Sequence, residues 1–443
     1  MKHSNLIVSE SKQPFSLNGF HFPDFICPAI HKGEAAQTHY FFSTSKKTVI
    51  SLWVNLKDAE NNCKSDMAKA QGKHSIDCNK FSYEQTENQW WQYCLAPHSY
   101  LSLGNNQIQV GLNLFNRFLH IDFNSRSAQL VDPGAGNEML STTNWFDHKT
   151  GELWFASWPV EETARRIIEP RENTRVTIWK LSIQQKTIRQ VWQGDFGDAL
   201  HQLLLSPDRR FVILTELGLY SEKAVPAESQ DQKISVEKQK MKKKLIPSKI
   251  LLLNLKTGEE WRLPALTAGH VEFDPEDREI CYLSGHNIGL IGPKVGIFGS
   301  GTIKKFRLNN TGPELVGEFS HPLFYRITTH IVFRHRGKTM IGVSGYPDKV
   351  FLIDAATMKL DRIIEMEPGE KVHTSSAPHI CQQDSYGIAA SEDGEALLAA
   401  GSGFLKVALI EEGRFFFKSN IDGYGSDSCF SGHLCSIFPE SCK

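Results

Sequence analysis

Five histidines at matched places in a recurring strand pattern, His39, His98, His201, His270 and His330, are the side chains of this sequence best suited to holding a transition metal. Imidazole nitrogens ligate iron, manganese, copper or zinc at bond lengths of about 2.0–2.2 Å. The pattern is found by taking the first residue of the second strand in each hairpin and stepping back ten places, which leads from Phe211, Ile280 and Met340 to His201, His270 and His330. The same step leads from Val49 to His39 and from Ile108 to His98, whereas Leu153 leads to Thr143 and Ala396 to Tyr386. Histidine supplies only 17 of 443 residues, so chance would place well under one among seven such positions.

The elements that must position these groups are short β-branched and aromatic runs separated by polar turns, with few apolar patterns of helical period. A strand, a Ser206-Pro207-Asp208-Arg209 turn and a second strand precede a further hairpin at Ile250–Leu255 and Glu260–Leu263. The unit recurs around His270–Phe273 and Ile280–Leu283, and again around His330–Phe333 and Met340–Val343. Two hairpins make one four-stranded blade, so the expected fold is all-β, a seven-bladed β-propeller of four-stranded antiparallel blades in one domain covering 1–443. The blades are expected near 38–56, 90–133, 138–195, 199–265, 268–320, 327–367 and 372–419, with insertions at 58–88 and 220–249. A stretch within 426–438 is expected to add a closing strand to the first blade. Innermost strands of a propeller start together on one face, so equivalent side chains there point toward a shared axis.

A structural role for such residues has a precedent in WD-type propellers, where a Gly-His pair ahead of a strand is an internal hydrogen-bonding device. Gly269-His270 fits that shape, but the Trp-Asp partner is missing from the outer strands, which read Ile178-Trp179-Lys180, Leu253-Asn254-Leu255 and Ile353-Asp354-Ala355. The five-histidine ring is therefore read as the metal site, with His286 and His379 as weaker candidates and His433 as a further one. Tyr386 is read as a catalytic hydrogen-bond donor to bound substrate or oxygen, and Thr143 as a gap for substrate entry. Glu216 and Glu272 are placed to orient ligand imidazoles. Arg165, Arg166 and Arg171, with Glu161 and Glu162, form a charged loop able to cover the channel mouth.

Composition narrows the rest. With 49 basic and 50 acidic residues the net charge is −1, so no long-range field draws the chain to nucleic acid or an anionic membrane. Met1–Phe15 lacks a basic segment followed by an apolar run, and no stretch is long and apolar enough to span a bilayer, which points to a cytoplasmic protein. The nine cysteines include no CxxC pair, so neither a zinc knuckle nor a redox dithiol is signalled. No phosphate loop, GxSxG elbow or HExxH is present, which leaves nucleotide cofactors and serine hydrolysis without support. Nothing signals an oligomer, because blade closure leaves no obligatory open edge.

Strand-start histidines from several blades resemble two enzyme groups. Thr150-Gly151-Glu152-Leu153 and His201-Gln202-Leu203-Leu204-Leu205 are similar to blade openings of the carotenoid cleavage oxygenases, a resemblance that implies non-haem Fe(II) held by four axial histidines. Gly269-His270 through Pro275, Ser284-Gly285-His286, Thr329-His330 and Pro378-His379 follow an order that resembles the oligogalacturonate lyases. That second likeness implies Mn(II) bound by His286, His330 and His379, with Ile327 where a glutamine ligand would stand. The expected function is a metal-dependent enzyme with a divalent transition metal, Fe(II) ahead of Mn(II) or Zn(II), acting as an oxidoreductase or oxygenase on a small organic substrate. The alternatives are a Mn- or Zn-dependent lyase acting on an acidic sugar or other carboxylate, and a non-enzymatic interaction propeller.

Overall fold

The computed structural model describes residues 5–17, 19–31, 34–62, 95, 97–112, 115–136, 138–159, 174–196, 200–216, 248–265, 267–286, 288–291, 294–297, 301–323, 326–346, 349–365, 387–401, 404–419, 428–429 and 435–437. These residues form seven small antiparallel sheets in a ring, an all-β seven-bladed propeller. Blade 2 shows the plan: Pro97–Gly104, Gln107–Leu112, Phe118–Asp122 and Ser127–Val131 pair in chain order from the axis outward. Blade 3 uses Glu138–Leu140 and Trp145–Asp147 as a broken inner strand, then Glu152–Pro159, Thr174–Ser182 and Thr187–Phe196. Blade 4 is Leu200–Leu205, Phe211–Glu216, Ser248–Asn254 and Glu260–Ala265. In blade 5, Thr267–Phe273 and Ile280–His286 are followed by a separate hairpin, Ile288–Ile291 with Lys294–Ile297, before Thr302–Asn309 and Gly312–Ser320. Blade 6 is Arg326–His335, Lys338–Tyr346, Lys349–Asp354 and Lys359–Glu365, and blade 7 is Gly387–Ala390, Ala396–Gly401, Phe404–Leu409 and Arg414–Ser419.

Blade 1 is built differently. Ala36–Ser43 and Thr48–Asn55 do not start at the axis, because Asp24–His31 lies inside them and the tail strands Ser428–Cys429 and Cys435–Ile437 lie inside that. Ile7–Pro14 covers the outer edge against Thr48–Asn55. The two ends of the chain thus meet in one sheet, which closes the ring by backbone hydrogen bonding.

Burial falls from the axis outward, and this is why the sequence reads as it does. Leu200–Leu205 and Phe211–Glu216 are buried at every position, because both faces of a strand near the axis meet a neighbouring blade. Thr187–Phe196, outermost in blade 3, is mostly exposed or half-buried. The apolar cores lie between blades rather than within them. Phe25, Phe42 and Val49 of blade 1 pack with Leu398, Leu405 and Val407 of blade 7, while Tyr282 and Ile303 of blade 5 pack with Val343 and Phe351 of blade 6. Identical turns recur: Ser206 donates to Asp208 and accepts from the Phe211 amide, at 2.7 and 2.9 Å, and Ser391 makes the same bonds to Asp393 and Ala396 at 2.6 and 2.9 Å. Around that rim charged pairs join successive blades, among them Arg209 with Asp147, Arg210 with Glu279 and Arg334 with Glu276. Among the described residues no helix is long and apolar enough to cross a membrane.

Candidate functional site

The inner strands are irregular where the site lies. Pairing with the second strand skips a residue between Pro97 and Ser99, Leu200 and Leu203, Thr267 and His270, and Ile327 and Thr329. Such bulges re-aim side chains at the end of a sheet, and they occur often beside functional sites. His98 is the extra residue of the first bulge, His201 lies inside the second, and His270 closes the third.

These three imidazoles come together although they belong to blades 2, 4 and 5. The Nε2 atoms of His98 and His201 are 2.8 Å apart, a hydrogen bond in which one ring carries the proton and the other accepts it. On its other side the His201 ring meets that of His270, edge to face, with centroids 4.5 Å apart. His201 is buried, and its two neighbours are half-buried. The result is a row of three rings with His201 in the middle. Among the described residues no group of three His, Cys, Asp or Glu side chains is already arranged as a cage for an ion.

The other two expected members are elsewhere. His39 lies on the strand third from the inner edge of blade 1, because Asp24–His31 and the tail take the inner places. Fully buried, it shares a 2.9 Å hydrogen bond between its Nδ1 and the Tyr100 hydroxyl of blade 2. His330 misses the row for a different reason. Ser284 of blade 5 pairs with His270, but the matching Ser344 of blade 6 pairs with Thr329, which leaves His330 opposite Val343. The inner turn of blade 6 is one residue longer, so a fixed ten-residue step lands on the neighbouring position, and neighbouring strand residues face opposite ways. The ring of His330 is buried between blades, its Nδ1 2.8 Å from the Ser284 hydroxyl. Burial pushes its pKa down from 6.5 to about 4, so the ring is neutral at physiological pH.

Thr143 belongs to the segment that interrupts the inner strand of blade 3, where it pairs in parallel with Gln202 of blade 4. Glu272 follows two residues after His270 on the same strand; its side chain is exposed, and the protein atoms crowded around it raise its carboxyl from 4.5 to about 7. Glu216 is buried at the end of its strand, opposite Leu200. His286 ends the second strand of blade 5 opposite Thr267, its side chain lying outside what is described. Tyr386, His379, His433, Arg165, Arg166, Arg171, Glu161 and Glu162 all lie outside the described residues.

Residue spacing did not single out the polar groups that tie the row together. Gln202 accepts from the Val271 amide at 2.7 Å and donates to the Val271 carbonyl at 3.2 Å, joining the inner strands of blades 4 and 5 immediately beside His201 and His270. Thr142 donates its hydroxyl to the His201 carbonyl at 2.6 Å, and its own carbonyl accepts from the Ser99 hydroxyl. Their only trace in the sequence is adjacency: Ser99 follows His98 and Gln202 follows His201.

Fold and site together define a seven-bladed β-propeller with a row of histidines at the bulged ends of its inner strands. No family model matches this chain, and no curated protein matches it.

Proposed function

We propose that the chain is a metal-dependent enzyme whose divalent transition metal is held by His98, His201 and His270, with Fe(II) the first candidate and Mn(II) or Zn(II) the alternatives. The observation that carries this reading is the convergence of three imidazoles from three separate blades, two of them with Nε2 atoms 2.8 Å apart. That separation is close to the roughly 3 Å between neighbouring nitrogens around an ion with bonds of about 2.1 Å. Rigid inner strands fix such donors better than loops do. Bound there, a ferrous ion would offer its remaining positions to oxygen and a small organic substrate.

The residues of the chain contribute the rest. His98 and His201 would give up their mutual hydrogen bond on binding, and the ring that carries the shared proton on Nε2 would pass to its Nδ1-protonated tautomer, leaving both imidazoles neutral. An oxidoreductase or oxygenase reaction agrees with a wholly neutral donor set, which suits iron with open positions.

The test is metal analysis of protein purified without a histidine tag, followed by anaerobic titration with Fe(II). Iron at one per chain together with substrate-dependent oxygen consumption supports the proposal. Manganese or zinc without oxygen dependence moves it to a lyase on an acidic substrate. A chain that holds none of the three metals and takes up none contradicts it.

A further inference from the structure

Among the described residues blade 3 sends no imidazole into the row, and its inner strand is broken. Glu138–Leu140 and Trp145–Asp147 both pair with Glu152–Pro159; Ser141 still bonds Ala156 of that strand, and residues 142–144 leave the ladder. The departing segment is tied on both sides. From blade 2, the Ser99 hydroxyl donates to the Thr142 carbonyl. Toward blade 4, the Thr142 hydroxyl donates to the His201 carbonyl at 2.6 Å, the Thr143 amide donates to the same carbonyl at 2.9 Å, and the Leu203 amide donates back to the Thr143 carbonyl at 2.9 Å. Gly111, the cross-strand partner of Ser99, makes room for this: a Cβ there would lie 1.8 Å from the Thr142 oxygen. Beyond blade 4, the Gln202 amide makes both bonds to the backbone of Val271. Each link is one residue from a member of the row, Ser99 from His98, Gln202 from His201 and Val271 from His270.

We infer that Thr142 and Gln202 are positioning residues that set the spacing of His98, His201 and His270 across three blades. The inference rests on the reading of that row as the ligand set. Three strands from separate blades share no sheet ladder, so each pair needs its own cross-link to hold donor atoms to a few tenths of an ångström. Outer groups that orient ligands typically change metal affinity by about 10- to 100-fold when removed. Thr142 is the cleaner of the two to alter, because the His201 carbonyl keeps the Thr143 amide as a donor when the hydroxyl is gone.

The experiment uses full-length protein and cobalt(II) alone as the probe, with Thr142→Val, its rescue Thr142→Ser, and Gln202→Met, which keeps the side-chain length and drops both amide bonds. Two readouts are followed. One is the nitrogen-15 and proton NMR signature of the shared His98–His201 proton in metal-free protein. The other is the cobalt affinity with its visible ligand-field spectrum. The expected result is that Thr142→Val loses the shared-proton signal, binds cobalt about tenfold more weakly with an altered spectrum, and melts within a few degrees of the parent. Thr142→Ser is expected to restore all of these. If Thr142→Val does not fold, Gln202→Met carries the test, with a cobalt affinity lowered by a similar factor. Unchanged signal, affinity and spectrum in a folded variant overturn the inference. If the parent chain binds no cobalt, the metal reading fails, while the NMR arm still decides the positioning claim: loss in Thr142→Val with return in Thr142→Ser supports it, and persistence in both overturns it.

Discussion

Blades 4 and 5 bring His201 and His270 into ring contact beside the axis. Blade 6, which repeats the Ser-Gly pair of blade 5 in its second strand, turns His330 away from the row to bond Ser284. The same residue type at nearly the same place therefore has two fates, and one residue of register separates them. Side chains alternate along a strand, so a single inserted residue in the turn of blade 6 sends the imidazole into the packing between blades. A bulge does the reverse for His98 and His201, inserting a residue that aims the ring along the row. His39 adds a third case, since the strand that carries it is displaced outward by the tail and by Asp24–His31. Its bond to Tyr100 and the bond of His330 to Ser284 are both links between blades, buried and polar.

If the row depends on a close crossing of blade 3, then Gly111→Ala is the severest change available. Its added methyl would overlap the Thr142 carbonyl, and backbone cannot move aside cheaply, so a loss of more than about 3 kcal/mol is expected by denaturant titration. Unaltered stability in that variant would mean the segment can shift freely, and the contrast between row and inter-blade histidines would lose its structural basis.

The inter-blade histidine has a pH signature. The folded chain keeps His330 neutral down to about 4, while an unfolded chain protonates it near 6.5. Its contribution is therefore complete above about 6.5 and declines as pH falls toward 4, by up to about 3 kcal/mol. Glu272 acts in the opposite sense. Its raised carboxyl pKa favours the fold at low pH, and that contribution is lost as pH rises from 4.5 to about 7. The two slopes oppose one another in the parent, so the difference in stability between parent and His330→Gln isolates the histidine. That difference should change between pH 6.5 and 4 and be level above 6.5. A level difference throughout would show that His330 is open to water.

Smaller effects sharpen the same contrast. Tyr100→Phe removes the hydroxyl beside His39 and should cost about 1 kcal/mol of stability with no change in metal uptake. Arg334→Ala breaks an exposed pair with Glu276 at the rim between blades 5 and 6, and should cost about 0.5 kcal/mol, less in high salt. If either substitution abolished metal uptake, the division between row and scaffold would be drawn in the wrong place.

The fold was legible because it is written seven times. Strand lengths, polar turns and paired hairpins repeat, and any one blade read poorly is corrected by the others. Blade 1 was legible in part: the closing strand from within 426–438 was expected, whereas Asp24–His31 inside Ala36–Ser43 and Ile7–Pro14 outside Thr48–Asn55 were not. The row was legible only in part. His98, His201 and His270 were found by counting residues, and counting works only where turn length and bulge offset each other. Blade 4 has a shorter turn than blade 5 and regains the lost residue in its bulge, so His201 stays in place. Blade 6 has no such compensation at His330. Thr142 left no signal and Gln202 none beyond its adjacency to His201, because they act through backbone atoms of strands distant in sequence.

The central claim, that His98, His201 and His270 share one ion, is tested most directly by anomalous X-ray diffraction from crystals grown with Fe(II), Mn(II) or Zn(II). The account predicts a single strong peak within about 2.0–2.3 Å of imidazole nitrogens of these three residues, with His39 and His330 still bonded to Tyr100 and Ser284. No peak at the row, or a peak beside His39 or His330 instead, would contradict it.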